Sequence, residues 1–327
     1  MRTIAGLLLG ILLFAVPSGR LWQAFQSHVR LTDSEISTVE RGDIVSKVLP
    51  SKNEREVAAF GMIRVDAPGE VLLTRFRDIT NFKKAEQVLE IGKFGATPSL
   101  QDLQTLTLTA EDIDDIRTCR VGQCGLRLSS SMIERLRRGA PAGDPSQLFR
   151  QLLLEYVQSY LVSGNSALVK YADKTATTSL ASEFQDLLTT APYLREYSPD
   201  FFAYLQNFPR GKPQGADDFL YWSKEKFGLK PVISITHVFL YRPSTTDDVL
   251  IVSKQIYASH YFHSSIGLTG SVARTGRPQS YLFYLNRSRV DALGGMFSGV
   301  LTNLIRGQIQ DGLTTNLKLA KQRLERP

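Results

Sequence analysis

Roughly the last hundred residues constrain the fold most. Three stretches rich in strand-forming residues, 230–241, 249–266 and 280–290, are separated by connections carrying Pro243-Ser244 and Gly276-Arg277-Pro278. Strand-like runs broken by such turn residues describe an antiparallel meander. Behind them Phe297, Leu301, Leu304, Ile309, Leu313, Leu317, Ala320 and Leu324 step by three, four or five positions and predict a long amphipathic helix. A stripe of that kind packs on something apolar. Gly307 and Gly312 within it weaken the case for one straight rod.

Upstream, 56–65 is rich in strand formers with loose alternation. Asp66, Pro68 and Glu70 then supply a cap, an early proline and an early acid for a helix through Leu72, Leu73, Phe76 and Ile79. That helix continues less regularly through Phe82, Val88, Leu89 and Ile91, and stops within 92–98. Leucine alternates with threonine or glutamine over 103–109, and 113–118 follows, so both are expected as strands leading to a cysteine loop. The acids Glu111, Asp112, Asp114 and Asp115 read as a solvated strand lead-in, lacking the oxygen-ligand spacing of a calcium loop. Residues 129–138 look helical. From Asp144-Pro145 the chain turns helical as a block: Leu148 to Leu161 ending at Gly164, then 180–188, 201–208 after Ser198-Pro199, and 218–227.

Hydrophobic residues make up 43% and charged residues 22% of the 327, enough apolar material for a sizeable core and too much for a disordered chain. Met1-Arg2-Thr3 followed by the apolar run 4–16 and Pro17-Ser18-Gly19 has the layout of a secretory signal peptide, an uncleaved anchor being the alternative. The run falls short of the ~20 apolar residues of a membrane-spanning helix. The two cysteines, Cys119 and Cys124, enclose Arg-Val-Gly-Gln. In an oxidising compartment so close a pair forms a disulfide, with Gly122 at the turn. The spacing fits neither a two-residue redox motif nor a c-type haem, and a zinc site would need further ligands. Net charge is +7, with basic residues dispersed apart from 135–138 and 318–326. Export argues against a nucleic-acid partner; a solvated helix face is the usual meaning of such basic clusters, with peripheral contact with an anionic membrane surface the alternative.

A strand followed by Asp66-Ala67-Pro68 and a helix carrying Phe76-Arg77-Asp78-Ile79-Thr80-Asn81-Phe82 resembles the opening of a START or Bet v 1-type domain. The late strands and closing helix are similar to the end of such a domain, in which a curved sheet grips the carboxy-terminal helix. The cysteine loop, 237–241 and 286–289 are also similar to segments of exported bacterial proteins that bring no activity with them. The resemblance implies an α+β fold, a curved antiparallel sheet gripping a long helix with an inserted, mainly helical subdomain. The expected division is 1–20 signal or anchor, 21–54 lead-in, 55–143 first part of the domain, 144–228 helical insertion, and 229–327 meander and helix.

It also implies an apolar cavity between sheet and helix that takes a hydrophobic small molecule or lipid. Strand parity places His237 with Ile233, Ile235, Phe239 and Tyr241, and His260 with Ile256, Ala258 and Phe262. His237, His260, Tyr257, Tyr284 and Arg287 are accordingly the expected ligand contacts, Arg287 alternatively pairing with a carboxylate such as Asp78. No catalytic residue, metal site or cofactor is assigned, since no nucleophile elbow, phosphate loop, dinucleotide fingerprint or His-Glu-x-x-His occurs. The function expected is exported binding or transfer of that ligand. An exported enzyme acting on a hydrophobic substrate, with His260 or His237 as acid or base, and a structural envelope-assembly protein are the alternatives.

Overall fold

A computed structural model describes residues 19–139, 143–226, 230–274, 276–291 and 298–326, with side chains of the closing helix described from Ile309 onward. The apolar amino-terminal run, Phe297, Leu301 and Leu304 lie outside the described residues or side chains. In chain order come α1 (Arg20–Val29), α2 (Asp33–Glu40), β1 (Val45–Leu49), β2 (Glu56–Val65), α3 (Gly69–Arg77), α4 (Ile79–Phe82) and β3 (Val88–Lys93). Next are α5 (Ala110–Thr118), α6 (Ser130–Gly139), α7 (Pro145–Ser163), the short pair β4 (Lys170–Tyr171) and β5 (Thr178–Ser179), α8 (Leu180–Thr189), α9 (Pro192–Tyr197) and α10 (Pro199–Asn207). The chain closes with β6 (Ala216–Glu225), β7 (Val232–Tyr241), β8 (Val249–Ala258), β9 (Phe262–Ala273), β10 (Ser280–Val290) and α11 (Ser298–Glu325).

Eight strands form one curved antiparallel sheet in the order β1-β2-β10-β9-β8-β7-β6-β3. The first long strand thus pairs with the last, Met62 opposite Phe283. β3 pairs with β6 as a hairpin would, and everything from 94 to 215 is inserted between those two strands. An insertion at a connection leaves the ladder intact, which is why a sheet tolerates it there.

Both faces of the sheet are covered. On one, the grip face, Ala59, Ile63, Val238, Leu240, Val249, Ile251 and Leu282 pack against Leu72, Leu73, Phe76 and Ile79 of α3–α4 and against Leu313, Leu317 and Leu324 of α11. A Cβ on Gly61 would stand 2.5 Å from Leu317 Cδ1, so the helix rests directly on β2 where a side chain is missing. On the other, the rear face, Phe60, Ile235, Phe239, Val252, Leu268 and Phe283 pack against α1 and the inserted helices. Phe25 of α1 meets Phe283 with ring centroids 4.3 Å apart. Burial on both sides explains why β2 and β7 read as near-continuous apolar runs rather than clean alternations.

Several elements differ from the sequence reading. The helix after β2 ends at Arg77, and Val88, Leu89 and Ile91 belong to strand β3. Asp66 does not cap it; Pro68 holds that position, and Asp66 Oδ1 accepts from Gln279 Nε2 at 2.7 Å instead. Residues 103–109 form no strand, and 113–118 lie in helix α5, started by a capping box in which Thr109 and Asp112 bond each other's backbone N–H. The acids 111–115 are therefore helical, and Asp112 is buried. The stretch 218–227, expected as helix, supplies the core strand β6, because its alternating aromatics suit a sheet covered on both sides. The expected strand 249–266 is two, β8 and β9, folded back at Ser259-His260-Tyr261.

Cys119 and Cys124 form the expected disulfide, with Cα atoms 4.4 Å apart. Gly122 has φ +85°, and its N–H donates to the Ala172 carbonyl at 2.7 Å while Cys124 N–H donates to Asp173 at 3.0 Å. The loop is thereby tied to the inserted subdomain. Among the described residues no helix is long and apolar enough to cross a membrane.

Candidate functional site

The structure does not gather the five expected contacts at one cavity. His237 and Arg287 point to the rear face, Tyr257 is packed there against Phe149, Tyr156 and Tyr171, and His260 sits in the β8–β9 turn. Only Tyr284 lies on the grip face. His260 Nε2 meets the buried carboxylate of Asp112 at 3.1 Å, joining that turn to α5. Asp112 is held below its usual pKa although burial acts the other way, because His260 and Thr109 hydrogen-bond its carboxylate. Arg287 donates to Glu56 at 2.6 Å rather than reaching Asp78, and its neighbour Arg289 donates to Glu183 at 2.7 Å and Asp186 at 3.1 Å.

His237 belongs to a chain of hydrogen bonds behind the sheet. Burial holds its pKa down, to about 4, against the opposing pull of Asp218, so the ring is neutral near pH 7. Nε2–H then donates to Asp218 Oδ1 at 3.2 Å, and Nδ1 accepts from the Tyr160 hydroxyl at 2.9 Å. Tyr160 in turn accepts from Lys254 Nζ at 3.2 Å, and Lys254 also donates to Asn165. Lys254 is fully buried, its Nζ lies 4.0 Å from the Phe184 ring centroid, and desolvation pushes its pKa well down. At the outer end Asp218 accepts from Tyr204 at 2.9 Å and Lys212 at 2.7 Å. These groups satisfy one another in a packed interior.

The grip face is different. Its end beneath α3 is apolar, but strand register continues it into a polar end. Tyr221, Thr236 and Gln255 stand side by side on β6, β7 and β8, and Ser253, Gly267 and Asn286 form the next row on β8, β9 and β10. Thr269 and Tyr284 are paired across β9 and β10. Asn286 Nδ2 donates to Ser265 at 3.1 Å, and Gln255 Nε2 donates to Ser234 at 3.1 Å. At the β6 corner Lys83 pairs with Glu225, which also accepts from Ser223 at 2.6 Å. Desolvation would lower the Lys83 pKa, yet the Glu225 carboxylate raises it, so the ammonium is retained. Burial pushes Tyr284 up to about 12. Thr236 is only 8% exposed, and the hydroxyls of Thr236, Ser253, Thr269 and Tyr221 have no hydrogen-bond partner among the described residues.

None of Lys83, Tyr221, Thr236, Gln255 or Glu225 was marked by the sequence. Reading 216–225 as a strand would have put Phe219, Tyr221, Ser223 and Glu225 on one face; the remaining members emerge only from cross-strand register. Among the described residues no group of three or more histidines, cysteines or acids is placed to hold a metal ion.

No family model and no curated protein matches the chain. It is similar to the ZhuI aromatase/cyclase of Streptomyces sp. R1128, at 11% identity and TM-score 0.24, over 39% of this chain and 79% of that one. A second similarity is to norcoclaurine synthase from Thalictrum flavum, solved with dopamine and hydroxybenzaldehyde, at 10% identity and TM-score 0.22, over 40% and 76%. Likenesses this slight carry no argument about activity. The fold bears a weak structural resemblance to the START/Bet v 1-type arrangement: first long strand beside the last, short helices after it, and a closing helix laid on the sheet.

Proposed function

We propose that the protein holds a hydrophobic or amphipathic small molecule on the grip face, between the sheet and the closing helix. One observation carries this reading. A layer-to-layer contact that served only as core would be expected to bond its polar groups, because an unpaired buried hydroxyl costs about 1–3 kcal/mol. Ser271 Oγ, between Val249 and Leu282 on this face, is buried without a partner, and two residues along β9 Thr269 begins the polar groups that continue through Ser253 to Thr236 and Tyr221. Catalysis on such a ligand is the second reading, favoured by the Lys83–Glu225 pair beside Tyr221, which supplies proton-transfer groups at the polar end. Export remains part of the proposal and suits the Cys119–Cys124 disulfide.

Native mass spectrometry of protein purified from its own cells, followed by solvent extraction, tests the reading. A retained apolar or amphipathic compound is expected, and repeatedly clean apo protein would refute it. Incubating the extract with fresh protein then separates the two readings. Unchanged compound means holding, whereas a product lost in Glu225→Gln means catalysis. Alkylation of the same preparation before and after reduction shows whether Cys119 and Cys124 are oxidised in the cell.

A further inference from the structure

We propose that the polar end of the grip face selects a ligand head that is uncharged and rich in hydroxyl groups, as in an alkyl glycoside or polyol ester, with the apolar body lying toward α3. The inference rests on the reading of this face as a ligand site and names the class of molecule it takes. Three features of the polar end carry it. Its free groups are hydroxyls, on Thr236, Ser253, Thr269 and Tyr221, each able to donate and accept, and Gln255 gives one amide N–H to Ser234 while keeping the other and its carbonyl oxygen. Its charged groups are engaged with protein partners: Lys83 pairs with Glu225, and Lys93, opposite Tyr221, donates to the Arg77 carbonyl at 2.8 Å and lies over the Phe219 ring. Its apolar continuation begins two to four residues along the same strands, at Val238, Leu240 and Ile251, so head and body of an amphipath meet matching surfaces in one pose.

A carboxylate or ammonium head would enter a place whose charged groups are already bonded to Glu225, Lys83 and the Arg77 carbonyl, and a desolvated ion without its own partner is costly. A hydroxyl-bearing head replaces its lost water bonds with those free donors and acceptors.

The test titrates the full-length chain with decyl glucoside, decanoate and decyltrimethylammonium, each below its micellar concentration, by calorimetry. The glucoside should bind about tenfold more tightly than either charged probe, the worth of one or two hydrogen bonds. Equal or tighter binding of a charged probe overturns the choice of head while leaving the ligand site standing. Failure of all three overturns the site and the inference together. The variants Thr236→Val and Gln255→Leu should bring the glucoside down to the affinity of decanoate and leave decanoate unchanged. An unaltered preference in variants that fold overturns the inference, and the wild-type comparison decides it should they not fold.

Discussion

His237 and Lys254 face each other across β7 and β8, both fully buried, and burial pushes the pKa of each down, that of His237 to about 4. The consequence for stability follows from proton counts. An unfolded chain protonates His237 near pH 6.5, the folded one only near pH 4. Between these values the unfolded state binds more protons, so folding stability is complete above the window and lost as pH falls through it. Lost over that span is on the order of 3 kcal/mol in the wild type beyond the loss in His237→Gln. Urea midpoints measured from pH 7 to pH 4 check this, and parallel curves for the two proteins would refute it. Residue identity alone hinted at His237, since apolar neighbours of equal parity marked it as inward. It could not tell which of two interiors it faced. Lys254 gave still less sign, because a lysine among strand residues ordinarily marks a solvent-facing position.

At the scale of elements, the seat of α11 on β2 depends on Gly61 and the leucines above it. Gly61→Val should destabilise the protein by about 1–3 kcal/mol through overpacking, and Leu317→Ala by about 2–5 kcal/mol through the space it leaves. Because the new methyls would occupy the very position Leu317 vacates, the double variant should cost clearly less than the sum. Denaturant titration of the four proteins closes the cycle, and strict additivity would mean that the helix does not rest there. Elements with chemical punctuation were legible in advance, as with Asp144-Pro145 opening α7 and Gly164 ending it. Those whose signals lie in tertiary contact were not. The β8–β9 turn contains no glycine, proline or asparagine, and Tyr261 takes φ +59° there without the usual residue for it. His260 bonded to Asp112 holds that turn from α5, a constraint absent from its own stretch of sequence. The Thr109–Asp112 capping box was on view but masked by the leucine alternation just ahead of it.

For the molecule as a whole, the decisive fact is that the insertion between β3 and β6, together with α1, covers the rear of the sheet. Replacing 96–212 by a short linker would bare Trp222, Ile235, Phe239, Val252 and Tyr257 together, an apolar area larger than soluble monomers leave open. Such a chain should aggregate, and a folded monomer by size-exclusion chromatography would show that the covering layer is dispensable. The class of fold and the closing helix were readable from element order. The site was not, because a sheet with two buried sides offers no sequence pattern that separates front from back. Bracing from behind also carries a mechanical consequence. A slab stiffened along its whole back cannot flatten to admit a guest of greater girth, so any extra room must open at the front, where the described part of α11 leans on β1, β2 and α3.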